Sequence, residues 1–220
     1  MYDAVADKYC YPDTTVLKNK LDLRNAEELH AFEAEVSDAR ADEELPAGDL
    51  DFEHFKAIHR HLFQDVYDWA GEVRDVRISK DGNMFCYPEN IAGEADKLFS
   101  ELERDKFLEG LSSKDFASKS AKFLAYLNAI HAFREGNGRS QLSFFLLLAE
   151  HAGHPIDLDA FQPEQFLDAM IESIKGNEVT SCNDHRGTDE QKAIAATQTD
   201  DARGQICRKP IFSKCAGSRC

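Results

Sequence analysis

His131-Ala132-Phe133-Arg134-Glu135-Gly136-Asn137-Gly138-Arg139 sets a possible base, a hard-oxygen donor, a glycine-rich turn and a guanidinium side by side. The apolar residues before it (Phe116, Phe123, Leu124, Leu127, Ile130) and after it (Leu142, Phe145, Leu146, Ala149) repeat at helical spacing, so the nonapeptide joins two packed helices. Its glycines therefore stand at a helix start, where unpaired amide N–H groups and a partial positive charge attract phosphate. Gly136 and Gly138 let the backbone approach closely, and Arg139 can give two parallel hydrogen bonds to phosphate oxygens. Glu135 offers the oxygen that Mg²⁺ takes beside a polyphosphate. His131 titrates close to neutral pH and can take a proton from an incoming hydroxyl. Read singly, the histidine caps a helix and the glycines turn the chain; read together, they describe phosphoryl or nucleotidyl transfer with a nucleotide as ligand.

Residues 131–142 resemble the pattern of the Fic family, His-Pro-Phe-x-Asp/Glu-Gly-Asn-Gly-Arg-x-x-Arg, at all but two specified positions. The resemblance implies a mostly α fold, a Fic-like helical bundle with a short β-hairpin flap, that transfers AMP from ATP to a protein hydroxyl. It makes His131 the general base, Phe133 the anchor of the loop in the core, and Glu135 the Mg²⁺ ligand. Gly136, Asn137 and Gly138 form the anion hole, and Arg139 meets the phosphates. The departures are Ala132 for proline, which frees one φ angle, and Leu142 for a second arginine that in the family orients the γ-phosphate. Doc-like relatives that transfer phosphate carry lysine where this chain has Gly138, so glycine favours AMP transfer; phosphocholine transfer is a rarer variant that the motif leaves open. The competing readings are a Doc-like protein kinase and a catalytically silent nucleotide-binding scaffold.

From Arg74 to Phe85 an Asp81-Gly82 turn separates two short runs with β-formers, a hairpin signal in a helical chain. An isolated hairpin leaves an exposed edge. By resemblance, residues 76–85 are the flap that docks the target by strand addition, through Ile78, Ser79, Lys80, Asp81, Gly82, Asn83 and Met84, with Ile78 and Met84 as its clamp. The alternative is a structural hairpin covering a helix. The aromatic, Pro12-tethered stretch Tyr9–Lys20 is similar to the opening segment of toxin-type Fic proteins, and the similarity spans about residues 9–175.

Fic proteins are commonly restrained by a helix bearing Ser/Thr-x-x-x-Glu, and no serine or threonine of this chain has glutamate four residues later. The resemblance then implies a toxin–antitoxin pair in which a small partner supplies the inhibitory glutamate. Some toxin-type relatives modify type II topoisomerase subunits, which makes such a subunit the expected target.

With 220 residues, 42% of them hydrophobic and 15 phenylalanine, the chain can bury one substantial core. The expected division is a Fic domain over 1–176 and a polar, flexible tail over 177–220. No run suits a membrane span and no leader opens the chain, so the expected location is the cytoplasm. A net charge of −15 argues against direct nucleic-acid binding. Cys10, Cys86, Cys182, Cys207, Cys215 and Cys220 match no zinc spacing and read as free thiols. His59 and His61, two apart on a helix, and His151 and His154, at a helix stop, lack ligand-spaced partners, so they read as structural. Asn25 with Glu28 predicts a capping box ahead of Leu29, Phe32 and Val36. Asp51 predicts the cap of a helix carrying Phe52, Phe55, Leu62, Val66 and Trp69, and Ser113 the cap of the helix that ends at the motif. Ile91, Ala95, Leu98 and Leu102 mark another helix, and Pro163 to Gly176 a last one.

Overall fold

The computed structural model describes residues 3–4, 7–80 and 83–157. Five α-helices carry it: α1 (Ala26–Ala41), α2 (Phe52–Phe63), α3 (Pro88–Arg104), α4 (Ser113–Ile130) and α5 (Asn137–His151). Short strands β1 (Asp3–Ala4), β2 (Ile78–Lys80) and β3 (Asn83–Met84) complete it. The mostly helical fold with a hairpin is therefore observed. The tail, its four cysteines and the Pro163–Gly176 pattern lie outside the described residues, as does the Asp81-Gly82 turn.

Local chemistry sets the helix starts. Asn25 Oδ1 accepts the amides of Glu27 at 2.8 Å and Glu28 at 3.2 Å, and Asp51 Oδ1 accepts that of His54 at 2.7 Å. Pro88 occupies the first turn of α3, where its missing N–H costs nothing. The cap of α4 is Ser112 and not Ser113: the Ser112 hydroxyl accepts the Asp115 amide at 3.2 Å, so the helix begins one residue after its cap. α2 stops at Phe63, and Val66 and Trp69, expected on it, are buried in the turns that follow.

α1 corrects the sequence reading more deeply. Its buried face is Leu29, Glu33, Ser37 and Ala41, while Phe32 and Val36 are only partly covered. A stripe rotated from the apolar one places a carboxylate and a hydroxyl inward, and both have work there.

α1 packs on α2, α2 on α5, α3 on α4 and α4 on α5. Aromatic rings fill the centre: Phe55 lies 5.2 Å from Phe133 and 5.8 Å from Phe144, and Phe99 lies 5.5 Å from both Phe123 and Phe144. Each such ring, fully buried, contributes about 1.5–3 kcal/mol. Tyr9, Cys10, Tyr11, Val16 and Leu17 of the N-terminal stretch join the same core. Among the described residues, no helix is long and apolar enough to cross a membrane.

The hairpin is not isolated. β2 pairs with β3 (Ser79 opposite Met84, Lys80 opposite Asn83) on one side and with β1 (Asp3 opposite Ser79, Ala4 opposite Ile78) on the other, making a three-stranded antiparallel sheet with β2 in the middle.

Candidate active site

α4 ends on His131, whose φ of 48° is left-handed, a conformation that costs a side-chain-bearing residue about 1–2 kcal/mol. The turn is held by Arg74, a buried side chain 2% exposed. Its Nε donates to the His131 carbonyl at 2.8 Å, Nη1 to Val76 O at 2.7 Å, and Nη2 to Cys86 O at 2.6 Å and Ile130 O at 3.3 Å. Its amide donates to Ala132 O at 2.9 Å. One cation thus meets the negative end of α4 and both strands of the hairpin base.

The His131 ring lies against Phe85, centroids 3.8 Å apart, and its Nδ1 is 3.2 Å from the Asn128 carbonyl. A carbonyl only accepts, so Nδ1 carries the proton and Nε2 the lone pair. Burial, and then the nearby Arg74 charge, hold the imidazole pKa well below its ordinary value. The ring is neutral at physiological pH and able to accept a proton. It is 4% exposed, and Phe85 directly follows β3, so the hairpin roofs the base.

Below the loop stands His59. It is fully buried and stacks on Phe133 at 3.8 Å. Its Nδ1 accepts the Gly71 amide at 2.8 Å, which leaves Nε2–H to donate to the Glu135 carbonyl at 3.0 Å. Burial pushes its pKa down to about 3, so it is a neutral strut with both ring nitrogens spent on the backbone. Asn137 staples the same turn: its Oδ1 accepts the Phe133 amide at 2.9 Å and its Nδ2 donates to the Phe133 carbonyl at 2.8 Å.

Gly136 precedes α5 with φ of 78°, and a Cβ there would stand 2.4 Å from the Phe63 ring. The position excludes any side chain on both counts. Gly136 therefore supplies no capping group, and the first-turn amides of α5 depend on a ligand or water for their partners.

Arg139 is placed differently from a guanidinium waiting for phosphate. It donates to Ser37 Oγ at 2.6 Å and to the Glu33 carboxylate, lies over the Phe63 ring at 4.6 Å, and shares Glu33 with the Tyr67 hydroxyl. The polar face of α1 exists to hold it. Glu135 sits near this group, its Oε1 accepting the Gly136 amide at 3.1 Å. Burial first, and then the Glu33 charge, raise its pKa; burial likewise lifts Asp38 to about 6. A divalent cation on Glu135 would relieve that repulsion. Among the described residues, no group of three or more His, Cys, Asp or Glu could hold a metal. The single carboxylate of Glu135 beside the start of α5 fits Mg²⁺ bound through one side chain plus substrate phosphates.

The hairpin runs beside His131 because Arg74 bridges the two. Ile78 is 1% exposed and anchors the strand, whereas Met84 is 37% exposed, so of the two residues expected to clamp a target it is Met84 that reaches solvent. Arg134, the variable position of the motif, is buried and donates through Nε and Nη2 to Asp7 at 2.8 and 2.6 Å. Arg74 and Glu33 escaped the sequence reading, which had His59 as structural but not its place under the loop; the one signal of Glu33 was a carboxylate spaced four residues from Leu29 and Ser37 on a single helix face.

Residues 49–149 match the Fic/DOC family. A probable protein adenylyltransferase, y4lH of Sinorhizobium fredii, is 51% identical over 80% of this chain and 92% of its own length. The protein adenylyltransferase VbhT of Bartonella schoenbuchensis is 36% identical over 80% of this chain and 37% of its own. Among solved structures, the AMPPNP-bound BepC protein of Bartonella tribocorum superposes with a TM-score of 0.71 at 27% identity, covering 79% of this chain and 91% of that one. An ADP-bound Fic domain of a putative cell filamentation protein from Bartonella quintana gives 0.69 at 29% identity, covering 79% and 90%. With its motif loop, hairpin and helical frame so arranged, and half of its aligned residues shared with the Sinorhizobium protein, the chain belongs to the Fic/DOC family.

Proposed function

We propose that this chain transfers AMP from ATP to a hydroxyl side chain of a target protein, the chemistry named for its relatives. The enzyme is a nucleotidyltransferase of the protein adenylyltransferase class. The observation that carries the reading is the fixed tautomer of His131, a neutral imidazole with its lone pair on Nε2, one short loop before a helix N-terminus with uncapped amides.

In the proposed step the target oxygen bonds to the α-phosphorus while Nε2 takes its proton, and pyrophosphate leaves with the electrons of the broken P–O bond. The amides at the start of α5 hold the phosphate oxygens, and Arg139 adds the donors that Ser37 and Glu33 leave it. Glu135 would hold Mg²⁺, which when bound supplies charge neutralisation for the phosphates. The flap would present the target in extended form. A growth-inhibiting role beside a small antitoxin, and a topoisomerase subunit as target, extend the reading by resemblance. Because Glu33 already engages Arg139, a glutamate supplied by a partner would meet the α5 amides instead.

ATP labelled on the α-phosphate, incubated with cell extract, tests the proposal. Transfer of label to extract proteins supports it. His131→Ala should lower the rate by about 10² or more while leaving ATP binding intact, because only proton abstraction is removed. Label from the γ-position alone means a kinase. The silent-scaffold reading is favoured by Leu142, a core residue 1% exposed where the pattern has arginine; it predicts no transfer of either label.

A further inference from the structure

The middle strand of the sheet has one edge against its hairpin partner and the other against the chain's own start. β1 lies antiparallel on β2, Asp3 opposite Ser79 and Ala4 opposite Ile78. Beyond β1 the chain is fastened across the site. Asp7 accepts two hydrogen bonds from Arg134, the residue before Glu135, in an ion pair buried at the arginine and 11% exposed at the aspartate. Burial works against the charge of Asp7, and the hydrogen bonds and charge of Arg134 outweigh it, lowering the carboxyl pKa and keeping Asp7 ionised. Lys8 pairs with Asp75, and the Tyr9 hydroxyl donates to Asp75 at 3.2 Å, so the base of the hairpin is gripped as well. The N-terminal segment therefore forms a strap: a deep anchor on the motif loop, and a two-residue strand on the flap.

The two ends differ in strength. The Asp7–Arg134 pair is shielded on its arginine side, and breaking it would cost that buried guanidinium its carboxylate. The β1 contact rests on two residues, so it can open without disturbing the anchor. A strand released at one end and held at the other returns at high effective concentration.

We infer that the β2 edge facing β1 is the surface on which an extended target segment pairs, and that Asp3 and Ala4 occupy it as a built-in competitor. The inference rests on the proposed transfer to a protein target and adds which edge is used and what guards it. The partner it fits is a segment of exposed, strand-competent backbone that exchanges its own hydrogen bonds for those of β1. A strap seated nine-tenths of the time weakens target capture about tenfold, because only the open fraction can bind. ATP binding, on α5, is untouched.

The test keeps the whole chain and replaces both paired residues, Asp3→Pro with Ala4→Pro, which removes both strand amides and leaves Asp7 in place. Amides of Ile78, Ser79 and Lys80 should exchange with deuterium faster in the variant than in the parent. At the same ATP affinity, the initial rate of α-label transfer to extract proteins should rise about tenfold. A synthetic peptide of residues 1–7, added in excess, should bring it back. A variant rate equal to or below the parent rate, with faster exchange, overturns the inference, since the strap would then be part of the platform or irrelevant to docking. Equal exchange in both proteins overturns it too, because the strand seat is then not formed in solution. Absence of label transfer by either protein overturns the functional reading and the docking role with it; deuterium exchange separates that failure from loss of the seat.

Discussion

Arg74→Met should cost this protein more stability than any surface change, and the cost can be worked from the partners of one side chain. The guanidinium serves four carbonyls, on Val76, Cys86, Ile130 and His131, while 2% exposed. Hydrogen bonds from a charged donor contribute about 1.5–3 kcal/mol each, but four that share one cation also share its desolvation, which pulls the total below their simple sum and into the range of about 3–5 kcal/mol for a broken buried ion pair. Methionine fills the space and leaves the carbonyls without a donor, giving a loss of about 4 kcal/mol. For a chain of this size that lowers Tm by about 8–16 °C. Arg74→Lys keeps the charge but not the fork, and should lose about half as much. Urea titration and thermal melts of the three proteins measure both. If Arg74→Met melts within about 3 °C of the parent, the guanidinium is not what ties the hairpin to α4. Well below its melting point the methionine variant should also transfer AMP more slowly at saturating ATP, because the left-handed cap that aims His131 has lost its brace.

Acid should weaken the fold through two of its buried imidazoles, His59 and His131. His59 is held at about 3 and His131 is also below the ordinary 6.5. Below pH 6.5 the unfolded chain therefore binds protons that the native one refuses, so the stability is complete above 6.5 and declines as pH falls, toward about 3 for His59. The slope is at most about 1.4 kcal/mol per pH unit for each ring, and urea midpoints from pH 8 to 4 would show it; a flat profile refutes the burial of both. Gly136→Ala faces a left-handed φ and the Phe63 ring, so it should destabilise by about 1–3 kcal/mol and weaken ATP binding, read by melting and by titration calorimetry. Gln141 is 1% exposed, and its amide nitrogen and oxygen find no hydrogen-bond partner among the described residues. Gln141→Met should raise stability by about 1–2 kcal/mol, and a fall in Tm would show that the amide has a partner in solution.

What was legible in the sequence is what lies contiguous in it. The motif loop declared itself because base, carboxylate, glycines and guanidinium fall within nine residues, and the helices because their apolar residues repeat with the turn of the helix. The supports were hidden because their partners are remote. Arg74 reaches a carbonyl 57 residues away, His59 one 76 residues away, and Arg139 a carboxylate 106 residues away. Periodicity says nothing about which distant carbonyl a polar side chain will meet. α1 misled for a related reason: its apolar residues suggest one inward face, but the cost of leaving Arg139 buried without a carboxylate turns Glu33 inward instead. β1 is two residues long, too short to carry any alternation.

Leu142 brings the electrostatics of the site to a point. The family pattern has two guanidiniums near the phosphates; here the second position is a core leucine, and the first, Arg139, spends donors on Glu33 and Ser37. Glu135 and Asp38, both with raised proton affinity, stand close enough to feel those charges. A polyphosphate approaching this corner meets carboxylates with one shared cation among them. Under the proposed function its charge would be balanced chiefly by the amides at the start of α5 and by a divalent ion held by Glu135. The amides are fixed by Asn137 and His59, which hold the turn whether or not a ligand is present, so their dipoles need no reorganisation when charge arrives. In the proposed reaction, leucine at this position would shift the work of anion binding from a side chain to the backbone and the metal, and would leave His131, braced from the opposite side by Arg74, outside the exchange.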